Sequence, residues 1–168
     1  MSRLRSALMP ATRIAIFGIM AWAATGASVA AQETVNISVP SAVSFQVTDV
    51  TVSTSGAPNP MTISFSSASL SPGNALRVSV KGDTASFIPP GGSSIPASKV
   101  SWTTLGASGG IGLNGTLSSS SYALVFQSDP ARTSGHVDLA WTLTAPGSGI
   151  RAGLHQLTTR WKVESITP

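Results

Sequence analysis

From Val35 to Val163 apolar and polar residues alternate with a period of two, and that period constrains the fold more than any other feature of the chain. Successive side chains of a β-strand point to opposite faces, so each alternating run predicts one buried and one wet surface. The runs are Val35/Ile37/Val39, Val43/Phe45/Val47, Met61/Ile63/Phe65, Leu76/Val78/Val80, Val100/Trp102, Tyr122/Leu124/Phe126, Val137/Leu139/Trp141/Leu143 and Leu157/Thr159/Trp161/Val163. Turn signals separate them: Asn59-Pro60, Ser71-Pro72-Gly73-Asn74, Pro89-Pro90-Gly91-Gly92 and Asp129-Pro130. No stretch carries a helical period. The pattern predicts an all-β fold, an antiparallel β-sandwich of about seven to nine strands in one domain over 32–168. Serine and threonine occupy most wet positions, which accounts for a charged fraction of only 10%. The glycines at 109–112 and the serines at 118–121 are short enough to be hairpin loops, and Trp141 and Trp161 fall on the apolar side of their strands.

The segment before this pattern has a different logic. Arg3, Arg5 and Arg13 precede an uncharged apolar run from Ile14 to Ala24, followed by small residues up to Ala31. A basic region, a short apolar region and a small-residue boundary predict a secretory signal peptide over 1–31, cut after Ala30 or Ala31. Three of the ten basic residues and none of the six acidic ones lie in it, so the formal charge of +4 falls to +1 for the rest. The seven remaining cations are scattered along the sequence, with no basic stripe interleaved with aromatics, which excludes the usual footprint of nucleic-acid binding. There is no cysteine, hence no disulfide framework, thiolate metal site or thiol nucleophile. No apolar tail follows the last run, so the expectation is an exported protein, periplasmic or extracellular, with no membrane association after cleavage.

Catalytic chemistry finds little to work with. His136 and Asp138 share one face of their run, opposite Val137, Leu139 and Trp141, and a metal site needs three or four convergent ligands. His155 precedes the final run. Neither imidazole is joined to a Gly-x-Ser-x-Gly elbow, and the six carboxylates sit in no motif. The glycines near 109 lack phosphate-loop spacing. No catalytic, cofactor or metal residue is assigned. Asn36-Ile37-Ser38 and Asn114-Gly115-Thr116 match the glycosylation sequon, a pattern short enough to arise by chance. Trp102 and Tyr122 stand in runs of weaker alternation and are candidates for sugar stacking, which would make the protein a carbohydrate-binding module; a small secreted hydrolase is the third reading.

The closing stretch combines the strand pattern Ala140–Thr144, a Pro/Gly turn, the step Ala152-Gly153 and the alternating run to Val163. This layout resembles the end of secreted bacterial immunoglobulin-like domains, and it is similar to the carboxyl end of archaic chaperone–usher pilin subunits of the spore-coat-U type. The resemblance implies an immunoglobulin-like sandwich and a structural or adhesive role at the bacterial envelope or surface, including that of a fibre subunit. In that setting Val35, Ile37, Val39, Val43, Phe45 and Val47 are a candidate strand-exchange segment. Such a segment pairs with another copy or another envelope protein by backbone hydrogen bonds, with pockets for alternate side chains.

Overall fold

A computed structural model describes residues 32–87 and 93–168; the expected signal peptide lies outside the described residues. The described chain is all-β. Its strands are β1 (Thr34–Ser38), β2 (Ala42–Val47), β3 (Thr54–Ala57), β4 (Met61–Ser69), β5 (Ala75–Gly82), β6 (Val100–Ser108), β7 (Gly110–Gly112), β8 (Gly115–Thr116), β9 (Ala123–Ser128), β10 (Gly135–Leu143) and β11 (Gly153–Ile166). Eleven strands form where about seven to nine are expected, because short strands sit inside stretches that read as turns. The glycine cluster contains β7, which lies so close to β9 that a Cβ on Gly110 would collide with the Gln127 carbonyl oxygen. Only glycine can hold that edge.

All strand pairs are antiparallel, in the order β1-β4-β10-β3-β2-β11-β5-β9-β7, with β6 on β10 and β8 on β6. Two strands carry the sheet around its bends. Short β3 pairs with β10 through Thr54 and Ser55 and with β2 through Gly56 and Ala57. It passes between Trp141 and Phe45, where a Cβ at Gly56 would lie 2.8 Å from Trp141 Cβ. Long β11 pairs with β2 along Gly153–Thr158 and with β5 along Thr159–Ile166. At the changeover Thr159 N–H donates to Ser41 O and Asp83 N–H to Thr158 O, so the backbone is satisfied on both sides. The two ends of the sheet curl toward each other: Phe65 of β4 and Phe126 of β9 bring their ring centroids within 5.8 Å.

The alternation in the sequence maps onto burial. Val137, Leu139, Trp141 and Leu143 of β10 are completely enclosed, as are Val43, Phe45 and Val47 of β2. Trp161 lies on the predicted face but at the margin, half-buried against the core, with its Nε1–H donating to Pro40 O. Where the period fails, a bulge is the reason. Between the Val78↔Phe126 and Ser79↔Leu124 pairs Val125 is inserted, so Val125 and Phe126 are both buried. Opposite β10, Leu105 is skipped in the same way and stands 61% exposed.

The centre of the core is the tilted pair Trp102–Trp141, with ring centroids 5.1 Å apart. Their indoles differ in one respect. Trp102 Nε1–H donates to Leu113 O at 2.8 Å, whereas Trp141 Nε1 is buried with no partner among the described residues. Trp141→Ala should cost about 3–5 kcal/mol in urea unfolding. Trp141→Phe should cost less than Trp102→Phe, because the latter removes a hydrogen bond to the half-buried Leu113 carbonyl and the former removes an already unpaired donor. The reverse order would place the strain elsewhere.

Candidate functional site

The strand-exchange segment divides into two unlike parts. Val43, Phe45 and Val47 belong to β2, which is hydrogen-bonded on both sides, to β3 and β11, and lines the core. Val35, Ile37 and Val39 belong to β1 and the residue after it, half-buried against the core at one end of the sheet. β1 pairs with β4 alone, Ile37 opposite Phe65 and Ser38 opposite Ser64. Its other edge carries no strand among the described residues. No lysine, proline or charged residue lies within Thr34–Ser38, the devices by which natural edges usually discourage pairing. Asn36, of the first sequon, is exposed on this strand. Asn114, of the second, is engaged structurally: its Oδ1 accepts from Thr104 N–H at 2.8 Å.

A polar clasp holds the start of β1. The Glu33 carboxylate accepts from Ser71 N–H at 2.6 Å and from Asn74 Nδ2 at 3.1 Å. Asn74 in turn donates to Ser165 Oγ and accepts from Thr167 Oγ1. The amino end of β1, the β4–β5 turn and the end of β11 are thereby tied together. Hydrogen bonds from the Ser71 hydroxyl, then Ser165, then the Ser71 backbone hold the Glu33 carboxyl down at about 2.

The two aromatic candidates separate cleanly. Trp102 is 1% exposed, packed on Trp141, so its expected role as a stacking platform is corrected: neither ring face is open. The weak alternation around it comes from the Leu105 bulge. Tyr122 lies just before β9 and is 40% exposed, with Lys81 Nζ 5.1 Å from its ring centroid.

The histidines are apart from one another. His136 and Asp138 share the outer face of β10 as expected, 3.9 Å apart, and Asp138 also accepts from Thr62 Oγ1. No group of three metal-ligating side chains occurs among the described residues. His155 lies within β11, not ahead of it, and is fully buried. Its Nε2 sits 2.9 Å from Arg151 O, so that nitrogen carries the proton, and its ring meets Phe87 edge-on. Nδ1 has no partner among the described residues, serine hydroxyls included. This is an imidazole packed in the core.

Strand pairing produces one feature that the linear sequence conceals. Arg77 and Lys81 of β5 stand opposite Glu164 and Arg160 of β11, and Lys162 stands opposite Ser79. On the other side of β5, Ser79 pairs with Leu124 and Arg77 with Gln127, and Tyr122 precedes this register. Four of the seven cations after residue 31 therefore share the outward face of β11, β5 and β9, correcting the expectation that they are dispersed. Asp83 pairs with Arg160, and Glu164 with Lys162 at 2.7 Å. Hydrogen bonding to Asp83, then the Asp83 charge, raises the Arg160 pKa, with a smaller contribution from Tyr122.

Comparison with known proteins gives no match to a family model, to a curated protein or to a solved structure.

The clasp has a pH signature. Because the folded pKa of Glu33 is depressed, its contribution is complete above the ordinary carboxyl range near 4.5 and is lost as pH falls toward 2. Glu33→Gln should lower the urea midpoint at pH 7 and converge with the parent as pH approaches 2. Parallel curves at every pH would show that the clasp does not stabilise the fold.

Proposed function

We propose that this chain is an exported, non-catalytic structural or adhesive protein of the bacterial envelope or surface. In this reading the curled sheet is a two-layer immunoglobulin-like sandwich. One layer is built on β4, β10 and β6, the other on β2, β11, β5 and β9. Side chains from both groups enter a single core, which supports the two-layer description. The protein associates with itself or with other envelope proteins by strand addition at β1.

The observation that carries the reading is the bare outer edge of β1: five alternating residues without charge or proline, at the end of the sheet. A row of unpaired backbone donors and acceptors is a template for another strand, and the half-buried Val35 and Ile37 fix which face a partner must match. β2 is not the exchanging element, because removing it would expose completely buried Val43, Phe45 and Val47. The segment available for association is thus Val35–Val39.

Light scattering of the exported protein over a concentration series tests this. Association should grow with concentration. Thr34→Lys with Ser38→Lys, both at exposed positions of β1, should give a monomer with an unchanged unfolding midpoint. A parent protein that stays monomeric at high concentration would overturn the reading.

A further inference from the structure

We propose that the outward face of β11, β5 and β9 binds an acidic polysaccharide, its cations pairing with sugar carboxylates and the Tyr122 ring stacking on a sugar face. The inference is independent of β1 association. It starts from charge segregation. Arg77, Lys81, Arg160 and Lys162 against Asp83 and Glu164 leave this face at +2, whereas the other charged residues after position 31 come to −1. The whole positive excess of the folded chain is therefore on one surface.

That surface is not internally neutralised. Arg160 and Lys162 have carboxylate partners, but Arg77 and Lys81 have none within salt-bridge distance among the described residues. Arg77 Nε is also enclosed without a hydrogen-bond partner there. Lys81 faces Arg160 directly across the β5–β11 pair. Like charges directly opposite on adjacent strands oppose folding, so this arrangement is one that an anionic ligand would relieve.

The geometry narrows the ligand. Lys81 and Arg77 are four residues apart on one strand, roughly 13 Å. A small acid cannot reach both, whereas a polymer with a carboxylate on successive units can. Between them Ser79 is small and nearly buried, leaving a low floor bounded by Lys162 and Leu124. Tyr122 ends this row, 40% exposed with Lys81 Nζ over its ring, so the cation and the aromatic surface that the C–H face of a sugar requires stand together. Four cations, two of them already paired with carboxylates, are fewer than the roughly 6–10 phosphate contacts of a strongly salt-dependent DNA binder.

The test uses the exported protein with polygalacturonate as the probe, titrated calorimetrically beside dextran, single-stranded DNA and phosphatidylglycerol vesicles. Polygalacturonate should bind and dextran should not. Lys81→Gln and Tyr122→Ala should each weaken binding about fivefold or more. Arg132→Gln, which removes an exposed cation that is none of these four and is paired with Asp129, should leave binding unchanged and so separates the four from net charge. Binding should collapse between 0.1 and 1 M salt, as the screening length falls from about 10 Å to about 3 Å. All three variants should remain folded, with Lys81→Gln no less stable than the parent because it relieves the Lys81–Arg160 repulsion. The proposal is overturned by absence of polygalacturonate binding or by equal binding of dextran. Indifference to Lys81→Gln or Tyr122→Ala, or tighter binding of DNA or vesicles than of polygalacturonate, would overturn it as well.

Discussion

Everything in this fold depends on the pairing of β11, the longest of the described strands, which serves two neighbours in succession. Its first half closes the ladder with β2 and its second half that with β5. Its inward side chains run His155, Leu157, Thr159, Trp161 and Val163, from fully buried at one end to half-buried at the other. Without it β5, β9 and β7 lose their link to the remainder of the sheet. The changeover at Thr158–Thr159 is where such a strand would otherwise leave backbone groups unpaired. There Pro40, Ser41 and Asp83 meet it, with Thr159 Oγ1 and Trp161 Nε1 both donating to Pro40 O. The prolyl carbonyl in the middle of the β1–β2 connection thus anchors β11.

The same strand joins the core to the surface chemistry. A strand with one face in the core must present its other residues outward, and on β11 those are Arg160, Lys162 and Glu164. Opposite them β5 presents Arg77, Ser79 and Lys81 by the same rule. The cationic face is therefore a consequence of register. A one-residue slip of β11 against β5 would bury the charges and expose Trp161 and Val163, so the hydrophobic pattern that holds the register also holds the charges together. At the far end of the sheet β1 has no strand on its outer edge among the described residues, and the Glu33 clasp ties its start to the β4–β5 turn and the end of β11.

Much of this was legible from alternation alone. The inward sets of β2, β4, β5, β10 and β11 are those the period of two selects, because each strand has one face in a common core. The misreadings have local physical causes. Trp102 reads as available from sequence because the Leu105 bulge blurs its strand, yet the ring is locked between Trp141 and the Leu113 carbonyl. The glycines around 110 read as a loop because nothing in the linear sequence announces the close approach to Gln127 that requires them. His155 is surrounded by small and polar neighbours in sequence but faces Phe87, some 68 positions away, in space. Gathering Arg77 and Lys81 with Arg160 and Lys162 requires knowing that β5 and β11 are neighbours, which no local pattern states. Charge distribution along a β chain says little until the strand order is known.

Native-state amide hydrogen exchange tests the central role of β11 most directly. If β11 holds the sheet together, the amides of Thr159–Val163 and their β5 partners belong to the slowest-exchanging group and open only with global unfolding. Exchange of those amides as fast as that of the Ser118–Ser121 loop, while β4 and β10 remain protected, would contradict the account.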